Sequence, residues 1–110
     1  MSRILLFVGL ILYVGCASDI ALGYPSCIND KIKDFRNSAV CETGREVSSY
    51  MFQGDTVYVF SPGTCGADLS SGVYDSDCNE IGFLGGFIGN TVINGDNFTK
   101  AEFIETIWSD

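Results

Sequence analysis

The residues of this chain that could do chemistry are carboxylates, thiols and one glycine-rich run, with no histidine beside them. Asp75-Ser76-Asp77-Cys78-Asn79 sets oxygen ligands at alternate positions, as the opening of an EF-hand calcium loop does. Such a loop also needs Gly at its sixth position and Glu at its twelfth, where this chain has Glu80 and Gly86. The motif therefore fails. What is left is a weak cation candidate, Asp75, Asp77 and Glu80, whose clustered carboxylates repel one another unless neutralised. Acidic turns of this kind are more often plain solvated surface, so the expected metal content is none.

The thiols fare no better as catalysts. Cys65 or Cys78 as a nucleophile needs an adjacent base or a depressed pKa, and without histidine the commonest base is missing. Intervals of thirteen, twenty-three and twelve residues separate Cys27, Cys41, Cys65 and Cys78, so there is no C-x-x-C pair for disulfide exchange or zinc. Paired carboxylates can run glycoside hydrolysis, but a domain this small has little room for an enclosing cleft. No catalytic residue and no cofactor is expected.

The run GFLGGFIGN (82–90) spaces its glycines as G-x-x-G-G-x-x-G, which is neither a dinucleotide fingerprint nor a phosphate loop. It is also too short to cross a membrane. The pattern predicts a strand entering through Ile81, Phe83 and Leu84, a break at Gly85-Gly86, and a return through Phe87 and Ile88 to Asn90. That reading makes the run a corner of the core, so that Gly86→Val unfolds the domain. Asn97-Phe98-Thr99 fits a glycosylation sequon, which matters only in a host with that machinery.

A chain of 110 residues allows one domain. Fourteen acidic residues against six basic ones give a formal charge of −8, which argues against nucleic acid or an anionic lipid surface as partner. The start, MSRILLFVGLILYVGCASD, has a basic Arg3, an apolar run from Ile4 to Val14 and then small residues, the layout of a signal sequence over 1–15. Gly15-Cys16 resembles a lipoprotein cleavage junction, which would make Cys16 the acylated first residue of a 16–24 tether. Tyr13 and Val14 depart from the usual residues of that junction, and cleavage after Ala17 or Gly23 is the rival. Either way Cys16 is acylated or removed. Four cysteines then remain in a domain of 25–110, and two disulfides are the natural expectation for a small exported chain.

The elements follow from periodicity. SCINDKIKDFRN places Ile28, Ile32 and Phe35 at i, i+4 and i+7, behind a Ser26 cap, and predicts an amphipathic helix. REVSSYMF, QGD and TVYVF predict a hairpin turning at Gly54; both faces of its second strand are apolar, so one lies under the helix and the other needs cover from the carboxyl-terminal segment or a partner. SSGVYD is a further strand, DSDCN a turn, and Asn94-Gly95 another turn. With the helix descending and successive strands alternating, Cys27 and Cys78 fall at one end and Cys41 and Cys65 at the other. Those are the pairings that avoid spanning the sheet. EFIETIW fits either a helix, capped by Thr99 and Glu102, or a strand rich in β-branched and aromatic residues. Tyr50, Tyr58, Tyr74 and Trp108 are the aromatics that a binding surface could use, although completing the core is the commoner role for each.

YMFQGDTVYVFSPGTCGADLSSGVYDSDCNEIGFLGG, with CINDKIKDF before it and INGDNF and TIW after it, resembles a family of small exported domains of unknown function common in Bacteroidota. The similarity covers most of residues 27 to 108. It implies a lipoprotein signal, favours a strand for the closing segment, and brings no reaction, ligand or catalytic residue. In that family a pair of cysteines is common where Cys65 stands alone here, and Cys78 precedes rather than follows the hydrophobic step, so the disulfide pairing is not taken from the family. The expected fold is α+β, one amino-terminal helix on a small antiparallel sheet of four or five strands with two disulfides. The expected role is that of a non-enzymatic, lipid-anchored cell-envelope domain that binds or supports an envelope partner. The alternative is a small secreted inhibitor or ligand-binding module acting in solution.

Overall fold

A computed structural model describes residues 24–38, 41–66 and 68–110; the expected signal segment, Cys16 and most of the tether lie outside the described residues. Helix α1, Ser26–Ser38, buries Ile28 and Ile32. Its first turn closes on the Pro25 carbonyl, which accepts from the amides of Ile28 at 3.1 Å and Asn29 at 3.3 Å. The cap is thus one residue earlier than expected, and Ser26 is the first helical residue.

Strands β1 (Glu46–Phe52) and β2 (Asp55–Ser61) form the expected hairpin. Both residues of its two-residue turn take positive φ, Gln53 at 54° and Gly54 at 83°, the backbone that matches the twist of the flanking strands. Strands β3 (Ser70–Tyr74) and β4 (Glu80–Gly85) follow, then the short pair β5 (Val92–Ile93) and β6 (Asp96–Asn97), a 3-10 turn (Phe98–Lys100) and β7 (Glu102–Ser109). The main sheet is antiparallel with the order β4-β3-β2-β1-β7. The closing segment is therefore a strand. It pairs along the free side of β1, where a helix would leave the backbone groups of β1 without partners.

Alternation along the strands gives the sheet two apolar faces, and each is covered. Val47, Tyr58 and Phe60 face α1 and pack with Ile28 and Ile32, while Phe35, Tyr74 and Trp108 close the margins. Phe52, Val57 and Val73 point the other way, onto Ile93 and Phe98. The second face is thus covered by the chain's own β5–β6 hairpin and 3-10 turn, making three layers. A side-chain lock holds this cover in place at the Gly54 turn: Gln53 Nε2 donates to the Asn94 carbonyl and the Asn94 amide donates to Gln53 Oε1, each at 3.1 Å.

The two disulfides are Cys27–Cys78 and Cys41–Cys65, with Cα separations of 6.2 and 5.7 Å. The first ties α1 to the end of the sheet that carries the Gly54 turn, here termed the upper end, and the second lies at the lower end. At sequence separations of 51 and 24, restriction of the unfolded chain contributes about 4 and about 3.5 kcal/mol. The lower end also holds a charged clamp. Arg45 pairs with the carboxylate of the terminal Asp110, donates to the Arg36 carbonyl at 2.9 Å, and lays its guanidinium 5.5 Å from the Trp108 ring.

Candidate functional site

The features that could carry chemistry are employed structurally. Asp75 Oδ1 accepts from the backbone amides of Asp77 and Asn79, both at 2.9 Å, so its carboxylate closes the turn that carries Cys78. Asp75, Asp77 and Glu80 are not brought together: among the described residues, no group of three or more carboxylates or thiols could hold a metal ion. Cys27, Cys41, Cys65 and Cys78 are all disulfide-bonded. Burial raises the pKa of the Tyr74 phenol, with the Glu80 charge adding to it. Burial also raises that of Tyr58, against the opposing hydrogen bond from Ser76. Tyr50, Tyr58, Tyr74 and Trp108 all pack into the two apolar layers, so the aromatics that were candidates for a binding surface complete the core.

The 82–90 run overturns its expected place. Strand β4 does break at Gly85-Gly86 and Asn90 does return to it, with Gly85 and Asn90 exchanging backbone hydrogen bonds at 2.8 and 2.9 Å. Phe87 and Ile88, however, are not a corner of the core: they stand 87% and 74% exposed. The physical reason is turn geometry. The Gly89 amide donates to the Gly86 carbonyl at 3.2 Å, which places Phe87 and Ile88 at the two central positions of a tight turn, pointing away from the sheet. Gly86 and Gly89, at φ of 79° and 65°, supply the left-handed corners on either side.

The tip is well braced. Asn90 Nδ2 donates to the carbonyls of Phe83 at 2.6 Å and Val92 at 2.8 Å, and the Gly86 amide donates to the Leu69 carbonyl at 3.2 Å. Phe83 and Val92, themselves 40% and 49% exposed, flank the tip. Beside it a groove of about 350 Å³ opens between β4 and the 3-10 turn, with Leu84 and Phe98 as its apolar lining and Asn90 and Thr99 among its polar lining. Large side chains held out by a fixed backbone lose little further freedom on contact, which suits docking to another apolar surface. The signal for this in the sequence was G-F-I-G, two apolar residues between glycines at a turn's spacing. Apolar character had pointed to the interior instead.

Residues 33–110, which include the sheet, the tip and three of the four bridged cysteines, match DUF6970, a domain of unknown function. The chain belongs to the DUF6970 family. The DUF6970 match begins within α1, so Cys27, which bridges to Cys78, lies ahead of it. No curated protein and no solved structure matches the chain.

Proposed function

We propose that this DUF6970 protein is a non-enzymatic binding domain of the cell envelope, tethered to a membrane through lipid on Cys16, and that its tip at Phe87 and Ile88 contacts an envelope protein. The observation that carries the reading is the paired exposure of Phe87 and Ile88 on a braced turn. Two disulfides support an oxidising compartment, and Gly15-Cys16 after an apolar run supports acylation.

The tip lies at the opposite end of the sheet from the point where the chain enters α1. The chain enters α1 at the upper end, beside the Cys27–Cys78 bridge, whereas β4 descends from Glu80, opposite Tyr74, to Gly85, opposite Ser70. Six residues of strand carry the tip about 20 Å from the point of entry. For a domain anchored through its amino terminus, a tip at the end of the sheet remote from the point of entry supports a protein partner over the anchoring bilayer. Covering a Phe and an Ile on contact is worth about 1.5–3 kcal/mol each, enough for specific association when other contacts accompany it.

The test combines mass spectrometry with capture from native membranes. Intact mass shows diacylglycerol on a chain beginning at Cys16, and Cys16→Ala releases the protein from the membrane. A partner captured by the wild type is lost from Phe87→Asp/Ile88→Asp at unchanged melting temperature. A chain beginning at Ser18 or Tyr24 without lipid rejects the anchor, and equal capture by the double variant rejects the tip.

A further inference from the structure

We propose that a cleft on the opposite, helix-covered face binds a free α-amino acid with an apolar side chain. The cleft lies between α1 and the β2–β3 pair and encloses about 250 Å³. That is just under the range typical of sites for drug-sized ligands, so it suits a guest about the size of a single amino acid. None of its residues belongs to the tip or to the groove beside it.

The wall is aromatic. Phe35 meets Phe60 edge-to-face at 5.4 Å between ring centres, and Phe60 meets Tyr74 in the same way at 5.2 Å. Gly72, on β3 within the cleft, leaves room for this arrangement: a Cβ there would come within 2.9 Å of the Tyr74 ring and 3.2 Å of its hydroxyl. The Tyr74 ring therefore lies over Gly72 on the strand, and with Phe35 and Phe60 it lines the cleft as an apolar wall.

The rim carries one charge of each sign. Lys31 and Asp34, at i and i+3 on α1, both line the cleft. Neither forms an ion pair among the described residues. Lys31 Nζ sits 4.4 Å from the centre of the Tyr74 ring, held beside the aromatic wall by a cation–π contact. An anion entering the cleft meets Lys31 but is opposed by Asp34, and a cation meets the reverse. A zwitterionic head gives its carboxylate to Lys31 and its ammonium to Asp34, while its side chain covers the rings. Peptides carry only one of those charges at each end, so the chemistry selects a free amino acid.

The assay follows backbone amide resonances of the isotopically labelled, oxidised protein during titration with L-leucine, N-acetyl-leucine and leucinamide. Leucine is expected to give saturable shifts at Lys31, Phe35, Phe60 and Tyr74. Each singly charged analogue should bind about tenfold or more weakly, the share of one charge-assisted hydrogen bond. Lys31→Gln should remove the preference for leucine over leucinamide, and Asp34→Asn the preference over N-acetyl-leucine. Lys31 is half-buried and Asp34 exposed at the open rim of the cleft, and an unchanged melting temperature verifies the fold of each variant. Absence of saturable shifts into the tens of millimolar overturns the proposal, as does equal binding of all three compounds.

Discussion

Gly86 separates steric strain from steric clash. Its φ of 79° is left-handed, yet a Cβ placed there meets Ser70 Cβ at 3.5 Å and the Phe83 ring at 3.6 Å, ordinary contact distances. Substitution therefore costs backbone conformation and little else. A non-glycine residue held in this region costs about 1–3 kcal/mol, with Asn at the low end and a β-branched residue at the high end. For a domain of this size each kcal/mol lowers the melting temperature by about 4–8 °C. The series Gly86→Asn, Gly86→Ala and Gly86→Val should thus melt progressively earlier by calorimetry or circular dichroism, with Gly86→Val still folding cooperatively at room temperature. This reverses the expectation that Gly86→Val unfolds the domain, which assumed Phe87 and Ile88 to be buried. Outright unfolding of all three variants, or a loss that follows side-chain volume with Asn above Ala, would refute the reasoning.

Two further outcomes concern the disulfides at both ends of the sheet and the charged clamp at the lower end. Replacing both Cys41 and Cys65 by Ala should lower stability by about 3.5 kcal/mol in denaturant titration, and Cys27→Ala/Cys78→Ala by about 4 kcal/mol, following their loop lengths. The Arg45 hydrogen bond and charge hold the Asp110 carboxyl below its ordinary pKa. A depressed pKa means that this pair stabilises the fold above the ordinary carboxylate value and is lost as pH falls through the lowered one. Acid unfolding followed by fluorescence should be shallower in Asp110→Asn, and an unchanged acid limb would exclude a role for the clamp.

Much of this architecture is legible in the residues because independent constraints agree. The i, i+4, i+7 spacing of Ile28, Ile32 and Phe35 fixes the helix, and the alternation in TVYVF fixes a strand with two apolar faces. Once strands alternate in direction, the ends on which Cys27, Cys41, Cys65 and Cys78 fall follow, and the pairing follows from them. EFIETIW was undecidable locally because its pattern suits both periods; what decides it is the side of β1 that β7 occupies. The short strand before the Asn94-Gly95 turn is legible in Thr91-Val92-Ile93, but its partner β6 is not: β5 and β6 are two residues each, and the packing of Ile93 onto Phe52, Val57 and Val73 is what makes them a layer. The tip was misread because hydrophobicity reports what a side chain avoids, whereas turn geometry decides where it must point. The cleft at Lys31 and Asp34 left no local signal, since its wall comes from α1, β2 and β3 together.

The proposed contact between the Phe87–Ile88 tip and an envelope protein is open to direct capture. A photo-crosslinking residue placed at position 88 in cells tests it most directly, with the same residue at Lys33, on the exposed outer side of α1, as control. One discrete protein adduct is expected from position 88, none from position 33, and loss of the adduct when Phe87→Asp is added. Equal labelling from both positions, or labelling only of lipid from position 88, would contradict it.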